Sequence, residues 1–325
     1  QRALANPEPR VPNPEPPNPR FGISNQWSNC PVLSPGQVLD DRYEILALLA
    51  EGGMGAVYRA RRTLLGDEVA IKIVRGEHSG SGPRDRFFRE SRASARLRHP
   101  HIVSILDFNV DDEDHPFLVM ELLNGPSMKD ELAAKGRMSL AEVQAIVPSL
   151  CAALQFAHDL GIVHRDLKPA NIVAHEFAPG QRVYKVVDFG LANLRETQET
   201  RLTGPHEFLG TIAYASPEQL TGAVVDARSD VYSLGTVVFE MLTGRVPFGG
   251  PDAMAMLTAH LNATAPKLSE TLADIPAWVD IAVLVKDVKA RREGMPRHAL
   301  QPAAISFRAR VGELGNGVVV ALAPQ

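Results

Sequence analysis

The sequence predicts an α+β protein with two lobes, in which a small antiparallel sheet with one main helix precedes a larger and mostly helical lobe. The first observation is a set of short strand-like runs, separated by Gly-containing turns, that begins at Tyr43. The second is the change to helical periodicity after Leu123. At 325 residues, with 45% hydrophobic content, the chain is long enough for two lobes with a sizeable core.

The small lobe is assigned to residues 39–123. The Pro-rich segment before it, 1–38, is interpreted as a disordered or linker segment, with a ligand for a proline-binding module as the alternative. Five strand-like runs follow: YEILALLA, AVYRARR, EVAIKIV, IVSILDF and PFLVMEL. Between the third and fourth runs, PRDRFFRESRASARLR predicts a charged helix with Pro83 near its start.

The large lobe is assigned to residues 124–298, and SLAEVQAIVPSLCAALQFAHD is its clearest helix. The apolar residues of this stretch share one face, Ser139 and Glu142 form a capping box, and Gly161 provides the stop. Pro148 predicts a kink or a local start inside it. Further helices are predicted at 226–243, 253–262 and 276–288.

Composition limits the classes of protein that the chain can represent. A net charge of -4 leaves no basic excess, so no nucleic-acid partner is expected. With only Cys30 and Cys151 a disulfide framework is implausible, and a reducing, cytoplasmic location is predicted. No apolar run of about 18 residues and no signal peptide is found, so no membrane segment is expected. Because the first residue is Gln, a fragment of a longer protein is one interpretation, and a membrane tether elsewhere stays open.

The motif EGGMGAVY lies at the turn between the first two strand-like runs. Gly52 and Gly55 would let the backbone approach a ligand and direct its amides at phosphate oxygens. A tight hairpin explains the same glycines equally well. No Gly-Lys-Ser/Thr follows, so the motif is not the P-loop of nucleotide hydrolases.

Two further motifs contain charged residues that require partners. Lys72 lies in the apolar run VAIK, where an unpaired cation is costly to bury, so either Glu90 or a phosphate is expected beside it. Asp188 follows a hydrophobic strand in KVVDFG, and together with the amide oxygen of Asn171 it would suit Mg²⁺. Taken singly, each of these last two residues is more typical of an ordinary turn or loop.

Together, these motifs resemble those of the protein kinase family. Over roughly residues 40–295 the chain carries, in the family's order, a GxxG turn followed by Val57, then VAIK, a helix glutamate, HRDLKPAN, DFG and SPE. GGMGAVYRA, YASPEQLTG and DVYSLGTVVFEMLTGRVPF are most similar to bacterial eukaryotic-like serine/threonine kinases, and Lys168 and Thr211 fit that class. The resemblance implies the two-lobed protein kinase fold and ATP-dependent transfer of the γ-phosphate to Ser and Thr hydroxyls of proteins, with autophosphorylation.

The resemblance assigns catalytic and metal-binding roles within HRDLKPAN and DFG. Asp166 would accept or orient the proton of the substrate hydroxyl, and Lys168 would neutralise charge on the transferred phosphoryl group. Asn171 and Asp188 would share Mg²⁺, or Mn²⁺ in its place.

Other roles are carried over in the same way. Lys72 would hold the α- and β-phosphates of ATP, and Glu90 would hold Lys72. His164 would pack against Phe189 rather than act as a base, and Asp230 would anchor the catalytic loop from below. The residues expected around the nucleotide are Gly52, Gly53, Gly55, Val57, Ala70, Lys72, Met120, Glu121 and Leu123, the last three at the back of the adenine pocket and in the hinge.

Arg165, next to Asp166, indicates regulation through the activation segment, 188–218. A phosphothreonine in this segment could pair with Arg165 and order it. The other regulatory positions are Thr197, Thr200, Thr203, Glu207 and Thr211. Glu207 lies three positions before Gly210, where many relatives carry a threonine, and it is predicted to replace a phosphate in part.

The chain departs from the family's pattern at two places. Ala50 replaces the first loop glycine, and weaker nucleotide affinity at most is expected. The arginine that pairs with Glu218 in the family is best matched by Arg291, but the prolines around it are missing. The tail, 299–325, is therefore interpreted as a linker, a hairpin, part of another domain or an altered C-terminus.

The main alternative is a pseudokinase or nucleotide-binding scaffold. Such proteins usually lose the equivalents of Lys72, Asp166 or Asp188, and all three are present here. A small-molecule phosphotransferase is a lesser alternative, because SPE and Thr211 form a platform for protein substrates. A homodimer through the small lobe is expected from the resemblance alone.

Overall fold

The computed structural model describes residues 33–52, 55–74, 81–111, 115–189 and 210–272. The strands of the small lobe are β1 (Val38–Leu39), β2 (Tyr43–Gly52), β3 (Gly55–Arg62), β4 (Glu68–Val74), β5 (Ile105–Val110) and β6 (Pro116–Glu121). They form a six-stranded sheet in the order β1-β2-β3-β4-β6-β5, and every neighbouring pair is antiparallel. A helix, α1 (Ser81–Ser94), packs against β5 and β6. The predicted sheet with one main helix is present.

The burial of each strand follows from its place in the sheet. β4 lies between β3 and β6, and all of its residues after Glu68 are buried. In β3 the residues Ala56, Tyr58 and Ala60 point into the core and alternate with more exposed ones, as expected for a half-buried strand. The five predicted runs correspond to β2–β6, whereas the two-residue β1 was not predicted.

The small lobe begins earlier than the sequence suggested. Leu33 is buried in the core of the sheet, and its N–H donates to the Tyr58 hydroxyl over 3.2 Å. The N–H of Gly36 donates to the Ile45 carbonyl over 2.8 Å. Residues on the N-terminal side of residue 39 therefore belong to the folded lobe, because a core strand needs them to cover its face and its edge.

The large lobe is mostly helical, as predicted. Its elements are α2 (Met128–Lys135), α3 (Leu140–Asp159), β7 (Ile172–Ala178), β8 (Gln181–Val186), α4 (Pro217–Leu220), α5 (Ala227–Thr243), α6 (Ala253–Asn262) and α7 (Leu268–Thr271). Side chains from α3 and α5 form the centre of its core. α5 and α6 match two predicted helices within a residue, while the helix predicted at 276–288 lies outside the described residues. The β7–β8 hairpin and α2 were not predicted as such.

α3 shows the predicted start. The Ser139 hydroxyl accepts from the Glu142 N–H, and the Glu142 carboxylate accepts from the Ser139 N–H over 2.8 Å, which completes the capping box. The helix runs continuously through Pro148, so no second helix starts there. It is long and apolar enough to cross a membrane by length and composition, but Leu150 and Leu154 are fully buried among other side chains. This burial is typical of a core helix.

Two helices of this lobe end on glycines with positive φ, of which Gly244 (ψ 9°) is left-handed helical and Gly136 (ψ -51°) is not. Gly136, after α2, has φ +78°, and a Cβ added there would meet nothing within 4 Å. Gly244, after α5, has φ +74°, but an added Cβ would clash with the Gly136 carbonyl oxygen. Gly136→Ala should cost about 1–2 kcal/mol of backbone strain, because its positive φ is unfavourable for a residue with a Cβ. Gly244→Ala should lower the unfolding free energy by about 2 kcal/mol more, because the clash adds to that strain. Urea unfolding measures both, and equal losses would contradict the close approach.

The stability of the large lobe should depend on the protonation of His260 in α6. This ring is buried, and its Nδ1 lies 2.7 Å from the Tyr232 hydroxyl. Burial lowers the pKa of His260 from 6.5 to about 4. The unfolded chain therefore binds this proton more tightly, so the contribution of neutral His260 is complete above pH 6.5 and declines as the pH falls towards 4.

We expect His260 to account for roughly 2 kcal/mol of the stability that is lost between pH 7 and pH 4.5. In His260→Gln this part of the pH dependence should be absent, although the variant is less stable at pH 7. Urea unfolding at several pH values tests the prediction. A variant with the same pH dependence as the wild type would show that His260 is not the titrating group.

Candidate functional site

The segment HRDLKPAN, between α3 and β7, brings a carboxylate, an ammonium and an amide together. Nζ of Lys168 lies 3.1 and 2.9 Å from the two carboxylate oxygens of the buried Asp166, and 3.4 Å from the Thr211 hydroxyl. The Asn171 Nδ2 donates to the backbone carbonyl of Asp166 over 2.7 Å. This bond orients the Asn171 amide, so that its oxygen Oδ1 is the atom that can serve as a ligand.

The loop is held from below by Asp230 in α5. The fully buried Asp230 carboxylate accepts the N–H groups of His164 and Arg165, both over 2.8 Å, and lies 2.7 Å from Nε2 of His158. Gln219 Nε2 donates to the Arg165 carbonyl over 2.5 Å. Arg165 has φ +68°, a conformation that costs a non-glycine residue about 1–2 kcal/mol, and these bonds to both of its backbone groups maintain it. Asp230 was predicted as the anchor, whereas His158 and Gln219 carried no local signal.

His164 has both ring nitrogens engaged. Nε2 lies 2.8 Å from the Val187 carbonyl, and Nδ1 accepts the Asp166 N–H over 3.2 Å. The ring meets Phe189 edge-on with 4.7 Å between the ring centres. A ring that donates through Nε2 and accepts through Nδ1 is neutral, so His164 is a structural residue and has no nitrogen available as a base or metal ligand.

Lys72 and Asp188 meet between the lobes. Nζ of Lys72 lies 2.6 Å from Oδ2 of Asp188, and the Lys72 side chain is only 5% exposed. Burial of Asp188 opposes its ionisation, but the neighbouring Lys72, together with Lys168, holds its pKa below the ordinary value. Asp188 has φ +66°, a second strained non-glycine residue of the site. For Lys72 the sequence suggested Glu90 or a phosphate, and the ion pair with Asp188 was not foreseen. Glu90 lies on α1, and its pairing with Lys72 stays a prediction.

An apolar surface between the lobes lies next to these charges. Its members are Val57, Ala70, Val103, Met120, Leu122, Leu123 and Val187. Four of them were predicted around the nucleotide and Leu122 lies in the predicted hinge, whereas Val103 and Val187 were missed. Val187 could have been found, because it directly precedes Asp188 on the same strand-like run. Such a surface beside convergent charges is typical of a cleft that binds the base of a nucleotide.

The glycine-rich stretch includes the end of β2 and the start of β3. Gly52 pairs with Gly55 in the ladder, and Gly55 has φ +133°, which requires glycine. Ala50 pairs with Val57 in extended backbone, so its methyl group causes no strain there. Gly53 lies outside the described residues.

Four predicted regulatory residues, Thr197, Thr200, Thr203 and Glu207, lie outside the described residues, and so does Arg291, the expected partner of Glu218. Of the described ones, Thr211 contacts Lys168, and Glu218 accepts from the Ser229 hydroxyl over 2.6 Å.

The oxygen ligands of the site fit a hard divalent cation. The Asp188 carboxylate and the Asn171 amide oxygen are of the type that Mg²⁺ prefers, and this ion often uses one or two protein ligands together with substrate phosphates and water. Among the residues that the structure describes, no cluster of three or more His, Cys, Asp or Glu side chains offers a complete protein cage.

Comparison with known proteins agrees with this geometry. Residues 43–292 match the family described as protein kinase domain. The serine/threonine-protein kinase PrkC of Bacillus subtilis is 36% identical over 255 residues, which are 78% of this chain and 38% of the relative. The probable serine/threonine-protein kinase PknB of Corynebacterium glutamicum is 38% identical over 288 residues, which are 87% of this chain and 43% of the relative. The chain thus spans less than half of the length of these two relatives.

Among solved structures, the crystal structure of the Mycobacterium tuberculosis PknI kinase domain is similar, with a TM-score of 0.59 and 27% identity. The match covers 78% of this chain and 91% of the PknI chain. The predicted two-lobed architecture is therefore confirmed by both comparisons.

Proposed function

The chain belongs to the protein kinase family, as its match over residues 43–292 shows, and from this premise we propose that it transfers the γ-phosphate of ATP to Ser and Thr hydroxyls of proteins. The observation that carries the proposal is the convergence of Asp166, Lys168 and Asn171 at one point beside the Lys72–Asp188 pair. The names of the bacterial relatives, which are serine/threonine-protein kinases, support the choice of hydroxyl substrate.

Phosphoryl transfer requires mainly positioning and charge stabilisation from the protein, because its transition state is loose. Asp166, held by Lys168 through both carboxylate oxygens, would orient the incoming hydroxyl and take its proton. Lys168 would then be close enough to stabilise charge on the transferred group. Lys72 would turn from Asp188 towards the phosphates. When bound, Mg²⁺ would neutralise phosphate charge, with Asp188 and Asn171 as its protein ligands.

The remaining assignments are part of the same proposal. The apolar surface that contains Ala70 and Met120 would hold the adenine, with the backbone of Glu121 to Leu123 beside the base. The cofactors would be ATP and Mg²⁺ or Mn²⁺. The partners would be protein substrates and a second copy of the chain bound through the small lobe. The kinase domain would work in the cytoplasm. Glu90 would steady Lys72 from α1.

Intact-mass and phosphosite analysis after incubation with Mg²⁺ and ATP tests the activity. We expect phosphate on the wild type and none on Asp166→Asn, and phosphate on Thr197, Thr200 or Thr203 would identify the regulatory threonine. Phosphate on tyrosine alone would contradict the predicted class. If neither protein incorporates phosphate while the wild type binds ATP, the chain is a nucleotide-binding scaffold.

A further inference from the structure

An ion pair joins the two lobes behind the apolar surface. Glu121 is the last residue of β6 in the small lobe, and Lys185 lies in β8 of the large lobe. Nζ of Lys185 lies 2.7 Å from Oε1 of Glu121, and the two side chains are 12% and 25% exposed. Neither residue has a role in the mechanism above that uses its side chain.

Hydrogen bonds from the backbone of Ser104 and Val103 connect the two strands that carry this pair. The Ser104 N–H donates to the same Glu121 Oε1 over 2.7 Å, and the Glu121 N–H donates back to the Ser104 carbonyl over 3.0 Å. The neighbouring Val103 N–H donates to the Val186 carbonyl over 3.0 Å. The segment before β5 is thereby bonded to β6 and to β8 at once, and the Glu121–Lys185 pair connects these strands directly.

Each end of the pair leads to one part of the proposed nucleotide site. On one side, β6 ends in the hinge beside the apolar surface. On the other side, Lys185 lies two residues before Val187 and three before Asp188. The Val187 N–H donates to the Asn171 carbonyl over 2.9 Å, and its carbonyl accepts from His164. A shift of β8 relative to β6 would change the distance between the hinge and Asp188.

We propose that Lys185 is a positioning residue: its bond to Glu121 sets the spacing between the hinge and Asp188 before a nucleotide binds. The inference rests on the proposed function for the identity of the ligand, namely a magnesium-bound nucleotide that contacts the hinge through its base and Asp188 through its phosphates. A preorganised spacing removes the cost of arranging both contacts at binding. A ligand that contacts the hinge alone gains nothing from it.

The charge state of Glu121 is consistent with this role. Burial of the carboxyl opposes its ionisation, but the bonds from Lys185 and Ser104 hold its pKa below the ordinary value. The pair is thus ionic at neutral pH.

Calorimetry with two ligands tests the inference without any need for turnover. For Lys185→Met we expect the affinity for Mg²⁺-bound AMPPNP to fall about tenfold, while the affinity for adenosine changes by less than about twofold. Lys185→Arg, which can restore the bond to Glu121, should recover most of the loss. Lys135→Met is the matched control, because Lys135 makes an exposed ion pair with Glu142 at 3.0 Å within the large lobe and should leave both affinities unchanged.

If Lys185→Met lowers the affinities for both ligands equally, the ion pair only maintains the fold. If both affinities are unchanged, the ion pair does not set the spacing between the hinge and Asp188. Either result overturns the inference. Glu121→Gln, which keeps an acceptor for Ser104 but loses the charge, gives a second variant if Lys185→Met fails to fold, and the same split between the two ligands is expected. If the wild type transfers no phosphate but Lys185→Met weakens Mg²⁺-bound AMPPNP and not adenosine, the proposed function fails while the inference holds.

Discussion

Replacement of Asp166 by Asn is expected to lower kcat by about 10²- to 10³-fold, because one positioned charged group at an active site contributes about this much. The change is nearly isosteric, and the Asn side chain can still lie beside Lys168. Since Asp166 meets the substrate hydroxyl rather than the nucleotide in the proposed mechanism, the dissociation constant for ATP should stay within about twofold. Steady-state kinetics with a Ser/Thr peptide and calorimetry with ATP give the two quantities separately.

The matched control for this variant is Asp159→Asn. Asp159 is exposed at the end of α3 and accepts a hydrogen bond from Gln155 over 2.7 Å, so the same chemical change there should leave kcat unaltered. If Asp166→Asn keeps a kcat near that of the wild type, Asp166 does not have the proposed catalytic role. A loss of ATP binding equal to the loss of kcat would indicate a damaged cleft instead.

Asp230→Asn is expected to have the largest effect on stability. The carboxylate is completely buried, and it accepts from two backbone N–H groups and lies beside His158. An amide keeps one oxygen acceptor, but its NH₂ group would face a donor, so at least one buried N–H loses its partner. We expect the unfolding free energy to fall by about 3 kcal/mol, the range for breaking a buried charged network.

Activity should fall with stability in Asp230→Asn, because the released groups belong to His164 and Arg165 in the catalytic loop. Asp226→Asn is a suitable control on the same helix: Asp226 is the N-cap of α5, where Asn is nearly as good as Asp. Urea unfolding monitored by circular dichroism measures both variants. Equal stabilities of the two would show that the buried network contributes little.

The sequence predicted the parts whose signals are local. β4 is an apolar run with one lysine, α3 carries a complete capping box and one apolar face, and the motifs around Asp166 and Asp188 are contiguous. Each of these can be recognised from a window of some twenty residues or fewer, and β4 and α3 lie where they were expected, although no second helix starts at Pro148.

The parts that could not be predicted depend on contacts between distant residues. One partner of Lys72 is Asp188, one partner of Glu121 is Lys185, and both pairs join different lobes. No local pattern encodes which carboxylate approaches which ammonium, because that depends on how the lobes pack. The β7–β8 pairing was missed for a related reason. A strand was expected directly before Asp188, but its partner IVAHEFA was not recognised, because both runs are short and pairing with each other is what makes them strands.

The early beginning of the small lobe determines where an expressed fragment of the protein should start. The family match starts at Tyr43, yet Leu33 fills part of the sheet core and β1 covers the outer edge of β2. Arg42, just before the match, also reaches across to Asp107 over 2.8 Å at the opposite edge strand. A cloning boundary drawn at the family match would therefore uncover Tyr58, free the edge of β2 and break that bridge. The minimal fragment that retains the whole sheet starts at or before Leu33.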